Sequence, residues 1–155
     1  MLAQDSDADL LQRTALSRTE IFQKIVKLNP KSTTIFLDAC YTGFSRENEM
    51  LLAAARPVRI VADEKESIPD NFTIFTASQI DQISSGLKEA KHGIFSYYLM
   101  KGLEGKADSN KDYKITNGEL LAYMDENVSQ KASTYNRQQN PSLAGNPEQI
   151  LMSYR

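Results

Sequence analysis

Thr33-Thr34-Ile35-Phe36-Leu37-Asp38-Ala39-Cys40-Tyr41-Thr42-Gly43 is the stretch whose reading decides the fold. Ile35, Phe36 and Leu37 form an unbroken apolar run, the pattern of a strand covered on both faces. Thr42-Gly43 supplies turn chemistry directly after it. Side chains alternate along a strand, so Asp38 and Cys40 are predicted to point to the same side. In open α/β sheets, ligands gather at the carboxyl ends of strands. The stretch therefore puts a carboxylate and a thiol together at the rim of a sheet. A lone cysteine after an apolar strand is also commonly a small buried hydrophobe. Taken by itself, Cys40 is a candidate nucleophile and no more.

Working outward, Ser17-Arg18-Thr19-Glu20 has the form of a capping box. It opens a predicted helix with Ile21, Ile25 and Leu28 on one face and Phe22 and Val26 widening the stripe, closed before Pro30. Downstream, residues 58–62 and 72–77 read as strands, and 78–91 as a polar loop. Residues 94–104 read as a helix, with Phe95, Leu99 and Leu103 stacked at helical spacing. A turn over 105–114 leads to a second capping box, Thr116-Asn117-Gly118-Glu119. The helix after it carries Leu120, Leu121, Met124 and Val128. Residues 133–147 read as a loop and 149–153 as a closing strand. Strand and helix patterns alternate, which predicts a mostly parallel sheet with helices on its faces.

The chain has 155 residues, the size of one domain, which is taken to span 1–155. Eighteen basic against twenty acidic residues leave a net charge of −2, so there is no basic footprint for nucleic acid. A single cysteine excludes an internal disulfide framework and fits a reducing compartment. No apolar run reaches membrane-spanning length, and the first residues lack a signal-peptide pattern. A cytoplasmic protein without membrane partners is expected. The opening residues are polar, with Asp5, Asp7 and Asp9, and read as the middle of a domain more than its start.

Phe36-Leu37-Asp38-Ala39-Cys40-Tyr41-Thr42-Gly43 resembles the nucleophile motif of caspase-like cysteine peptidases, particularly metacaspases and their bacterial relatives: an apolar strand, then Asp-x-Cys-x-Ser/Thr-Gly. Residues 72–77, continuing into Ser78-Gln79-Ile80-Asp81-Gln82-Ile83-Ser84, resemble the segment that lines the substrate cleft in that family. Gly93-Ile94-Phe95-Ser96-Tyr97-Tyr98-Leu99, with Gly102-Leu103 and Gly105, resembles its long helix near the C-terminal end. The ordered set covers most of residues 17–130.

The resemblance implies a caspase-like three-layer α/β sandwich, incomplete at its N-terminal side. It implies a cysteine endopeptidase with a Cys-His dyad and Cys40 as nucleophile. Asp38, Ser78 and Asp81 would form the substrate pocket, with cleavage after Arg or Lys. The thiolate attacks the carbonyl, a histidine relays the proton, and backbone amides hold the oxyanion. In the family the histidine precedes the cysteine strand. Here no histidine precedes Cys40, and His92 is the only one. The base is therefore expected on an N-terminal segment or subunit outside this chain. The expected partners are a peptide or protein substrate and that segment.

A second pattern stands at Asp108-Ser109-Asn110-Lys111-Asp112-Tyr113-Lys114-Ile115-Thr116-Asn117-Gly118-Glu119. It matches the EF-hand calcium loop at positions 1, 3, 5, 8 and 12. Asp108, Asn110, Asp112, Lys114 and Glu119 are the candidate Ca²⁺ ligands. Position 6, ordinarily glycine, is Tyr113, which disfavours the positive φ needed there. Glu119 also has a competing use as the third residue of the capping box. The alternative function is thus a non-catalytic, calcium-responsive or interaction module of caspase-like shape.

Overall fold

The computed structural model describes residues 18–38, 68–77, 86–87 and 92–154. Within them the elements are α1 (Arg18–Lys27), β1 (Thr33–Leu37), β2 (Phe72–Thr76), β3 (Gly86–Leu87), β4 (His92–Gly93), α2 (Ile94–Lys101), β5 (Lys114–Thr116), α3 (Asn117–Ser133), β6 (Ser142–Ala144) and β7 (Ile150–Ser153).

The apolar strand of the opening stretch forms as read. β1 pairs with β2 in parallel, Thr33 opposite Phe72 through Leu37 opposite Thr76. Strand alternation then sorts the core. Phe72 and Ile74 cluster with Leu37 and with Phe22 of α1. Phe22 meets Phe72 edge-on at 5.7 Å between ring centroids. The alternate residues Phe75 and Ala77 join Ile94, Phe95, Ile115, Leu120, Met124, Val128 and Ala132 in a second cluster. Phe36 stacks on Phe75 at 5.2 Å. So α1 covers one face of the β1–β2 pair, and α2 and α3 cover the other. Phe75 is fully buried; truncating a phenylalanine in such a site to alanine costs about 3–5 kcal/mol.

The second capping box also forms as read. Thr116 Oγ1 accepts from the Glu119 amide, and Glu119 Oε2 accepts from the Thr116 amide at 3.0 Å. The helix it opens buries Leu120, Met124, Val128 and Ala132 at helical spacing.

The sheet and two segments expected as loops are corrected. The sheet is mixed among the described residues, because β6 adds antiparallel to β2. That strand lies inside the expected loop 133–147. Gly145 makes it possible: at φ 140° it passes within contact of Thr73 and the Phe72 carbonyl, where a Cβ would sit 3.1 Å from that oxygen. The strand expected at 149–153 forms as β7 and pairs antiparallel with β5, next to the acidic loop. The segment expected as a loop up to residue 91 contains β3, which pairs with β4 through Gly86–Gly93 and Leu87–His92. The helix read over 94–104 forms as α2 and the π-type turn Gly102–Lys106 that continues it, and the backbone leaves helical conformation at Gly105, at φ 106°. α3 crosses closely at this turn, since a Cβ on Gly102 would lie 2.7 Å from Leu120 Cδ1. The expected strand 58–62, Ser17 and residues 1–16 lie outside the described residues. Among the described residues, no helix is long and apolar enough to cross a membrane.

Candidate active site

Parallel pairing brings the carboxyl ends of β1 and β2 side by side. The Ala77 amide donates to the Leu37 carbonyl at 2.9 Å, extending the ladder by one step. Asp38 follows directly, on the same strand face as Phe36, the face toward α2. There Ser96 Oγ, in the first turn of α2, donates to Asp38 Oδ2 at 2.5 Å. Both residues are half-buried. The end of β2 is pinned as well: buried Gln139 donates from Nε2 to the Ala77 carbonyl at 3.1 Å. Asn140 beside it donates to Ser129 Oγ at 3.0 Å, which ties this anchor to α3.

Asp38 is thus at the sheet rim, as its spacing predicts. Cys40 comes two residues later in the chain and Ser78 directly follows Ala77, but Cys40, Ser78 and Asp81 lie outside the described residues. His92 stands in β4, opposite Leu87. Ser96 and Gln139 were missed from sequence. The available signal for Ser96 was a hydroxyl set among Ile94, Phe95, Tyr97 and Tyr98 at the start of an apolar helix.

The acidic loop is built differently. Asp108 accepts the amides of Asp112 at 3.2 Å and Tyr113 at 3.0 Å, and the Tyr154 hydroxyl at 2.8 Å. Asn110 accepts the Asp112 amide and Asp112 accepts the Lys114 amide, each at 2.9 Å. Ser109 Oγ donates to Glu119 Oε1 at 3.0 Å. Tyr113 does take the left-handed conformation expected to disfavour it, at φ 64°, and Lys111 does so at φ 60°. The Asp108 carboxylate and the Tyr154 amide, which donates to the Tyr113 carbonyl at 2.9 Å, hold it there.

These contacts shift the ionisations. Burial pulls the Asp108 carboxyl upward, but the Tyr154 hydroxyl and the amides of Tyr113, Asp112 and Lys111 together lower it. The Thr116 amide draws Glu119 down against burial, helped by the Thr116 and Ser109 hydroxyls. The Asp108 carboxylate raises the Tyr154 hydroxyl. Among the described residues, no three His, Cys, Asp or Glu side chains are grouped to hold a metal ion. An open groove of about 610 Å³ lies over this region, lined by Asp112, Tyr113, Lys114, Ser153 and Tyr154. None of its lining residues belongs to the sheet rim that carries Asp38.

A family model described as the caspase domain matches residues 3–149. No curated protein matches the chain.

Proposed function

The chain belongs to the caspase-domain family, a family of cysteine peptidases, and from that premise we propose that it supplies the nucleophile and the substrate pocket of a cysteine endopeptidase. Cys40, as thiolate, attacks the peptide carbonyl. Its own backbone amide is one donor to the developing oxyanion. A histidine takes the proton and returns one to the leaving amine. By the family's order, in which the base precedes the cysteine strand, that histidine is expected outside these 155 residues, since the chain's only histidine, His92, follows Cys40. Asp38 receives an Arg or Lys side chain of the substrate, and Ser78 and Asp81 complete the same pocket.

The observation that supports this reading is the position of Asp38. It stands at the carboxyl end of a parallel strand pair, two residues before Cys40, with a helix hydroxyl on its carboxylate. The test is cleavage of fluorogenic peptides carrying Arg, Lys or Leu before the scissile bond. Residues 1–155 alone are expected to give no turnover. Joined to a histidine-bearing segment, they are expected to cleave after Arg and Lys, and Cys40→Ala abolishes this. Cys40-dependent cleavage by 1–155 alone would contradict the assignment of the base.

One observation favours a second reading, a calcium-responsive module: Tyr113 holds the positive φ that the sixth position of a calcium loop needs. Calorimetric titration of the chain with Ca²⁺ and an Asp112→Ala control tests it. A saturable heat lost in the variant supports calcium, and no heat at millimolar Ca²⁺ removes it.

A further inference from the structure

We propose that Ser96 is a positioning residue that gives the Asp38 pocket its preference for arginine over lysine; this rests on the reading of Asp38 as the pocket carboxylate. A serine hydroxyl in a helix commonly points to solvent or turns back to a backbone carbonyl three or four residues before it. Ser96 instead reaches across 58 residues of sequence to the rim of the sheet and donates to Asp38 Oδ2 at 2.5 Å. The rest of that helical turn is apolar and packed: Ile94 and Phe95 are fully buried, and Tyr97 and Tyr98 meet edge-on at 5.1 Å. The donor is therefore carried on a fixed backbone.

The chemistry of the two substrates makes this specific. A guanidinium binds a carboxylate through two parallel N–H donors in a plane, so the carboxylate must hold one orientation. An ammonium is a compact charge with rotatable donors and tolerates a turned carboxylate. A hydrogen bond fixing one oxygen of Asp38 sets the carboxylate plane, and that plane matters for arginine far more than for lysine. An aspartate rim without such a donor would attract both cations alike.

The test uses the chain itself and needs no turnover. Peptidyl chloromethyl ketones ending in Arg, Lys or Leu alkylate Cys40, the thiolate displacing chloride. Each rate is divided by that for iodoacetamide, which cancels any change in the thiol. Wild type is expected to react in the order Arg, Lys, Leu. Ser96→Ala is expected to lower the Arg rate about tenfold, the effect of one charge-assisted hydrogen bond. The Lys rate should fall less than threefold and the Leu rate should hold. Ser96→Thr and Ser96→Val, alike in shape, give the same comparison if alanine impairs folding: threonine should keep the Arg preference and valine lose it. If Asp38→Ala removes the Arg and Lys preference while Ser96→Ala and Ser96→Val keep it, the role of Ser96 is overturned and the pocket stands. Equal losses for Arg and Lys also overturn it. If Asp38→Ala itself keeps the preference, the pocket reading fails first.

Discussion

Two regions of this molecule carry carboxylates, and they use them in opposite ways. The loop from Asp108 to Glu119 is dense in acid and looks, as text, like a binding site. Its side chains are spent on its own backbone: Asp108, Asn110, Asp112 and Glu119 each accept a main-chain amide within five residues. Among the described residues, the rim of the β1–β2 pair presents the carboxylate of Asp38, and Ser96, which donates to it, comes from a different layer. The first arrangement folds a turn. The second fixes a charged group at the end of a sheet, where ligands are met. Crowding of like residues is thus a poorer guide to function than the sequence distance of their partners.

The largest expected effect sharpens that contrast. In the chain joined to a histidine-bearing segment, Asp38→Ala should lower cleavage after Arg and Lys about a hundredfold if the proposed pocket holds, as losing one partner of an enclosed charge pair does. Rates for a Leu peptide should stay within about threefold. Unchanged Arg and Lys rates would break the comparison at its functional end.

Gly102→Ala comes next. The added Cβ meets Leu120 Cδ1 at 2.7 Å and Tyr123 at 3.2 Å. Denaturant unfolding should show a loss of about 1–3 kcal/mol, the cost of overpacking. A neutral result would mean that α2 and α3 cross less tightly than described.

At the loop end, Thr116→Ala removes the cap of α3 and should cost about 1 kcal/mol, leaving the Arg and Leu labelling ratios at Cys40 unchanged. A shifted ratio would tie the loop to the site and erase the distinction.

The smallest effect is on acid stability. Asp108 and Glu119 are held below their ordinary values. A depressed carboxylate stabilises the fold above its unfolded pKa and loses that contribution as pH falls through the folded pKa. Stability should therefore be level near neutrality and decline below about pH 4. Asp108→Asn with Glu119→Gln should flatten the decline. An equally steep decline in the double variant would place the acid-sensitive groups elsewhere.

What could be read from the sequence followed the range of each interaction. β1, β2, α1, α2 and the capped helix α3 were legible because local periodicity and local caps specify them. The end of the helical stretch begun by α2 was legible too, at Gly105, where the chain takes a positive φ. β5 and β6 were hidden, because three-residue strands with distant partners leave no period to detect; β7 was legible as a strand, but its pairing with β5 was not. The rim position of Asp38 was legible from its place directly after the apolar run Ile35–Leu37. Its partner Ser96 was not, because nothing in the local pattern joins residues that far apart.

The central claim is that Cys40 is a peptidase nucleophile served by a carboxylate pocket. Its most direct test is mass-spectrometric labelling of wild-type residues 1–155 with the Arg and Leu chloromethyl ketones, each referenced to iodoacetamide. Labelling confined to Cys40 and at least about tenfold faster with the Arg reagent is the predicted result. Equal rates for the two reagents, or a Cys40 that neither reagent nor iodoacetamide reaches in the folded chain, would contradict it.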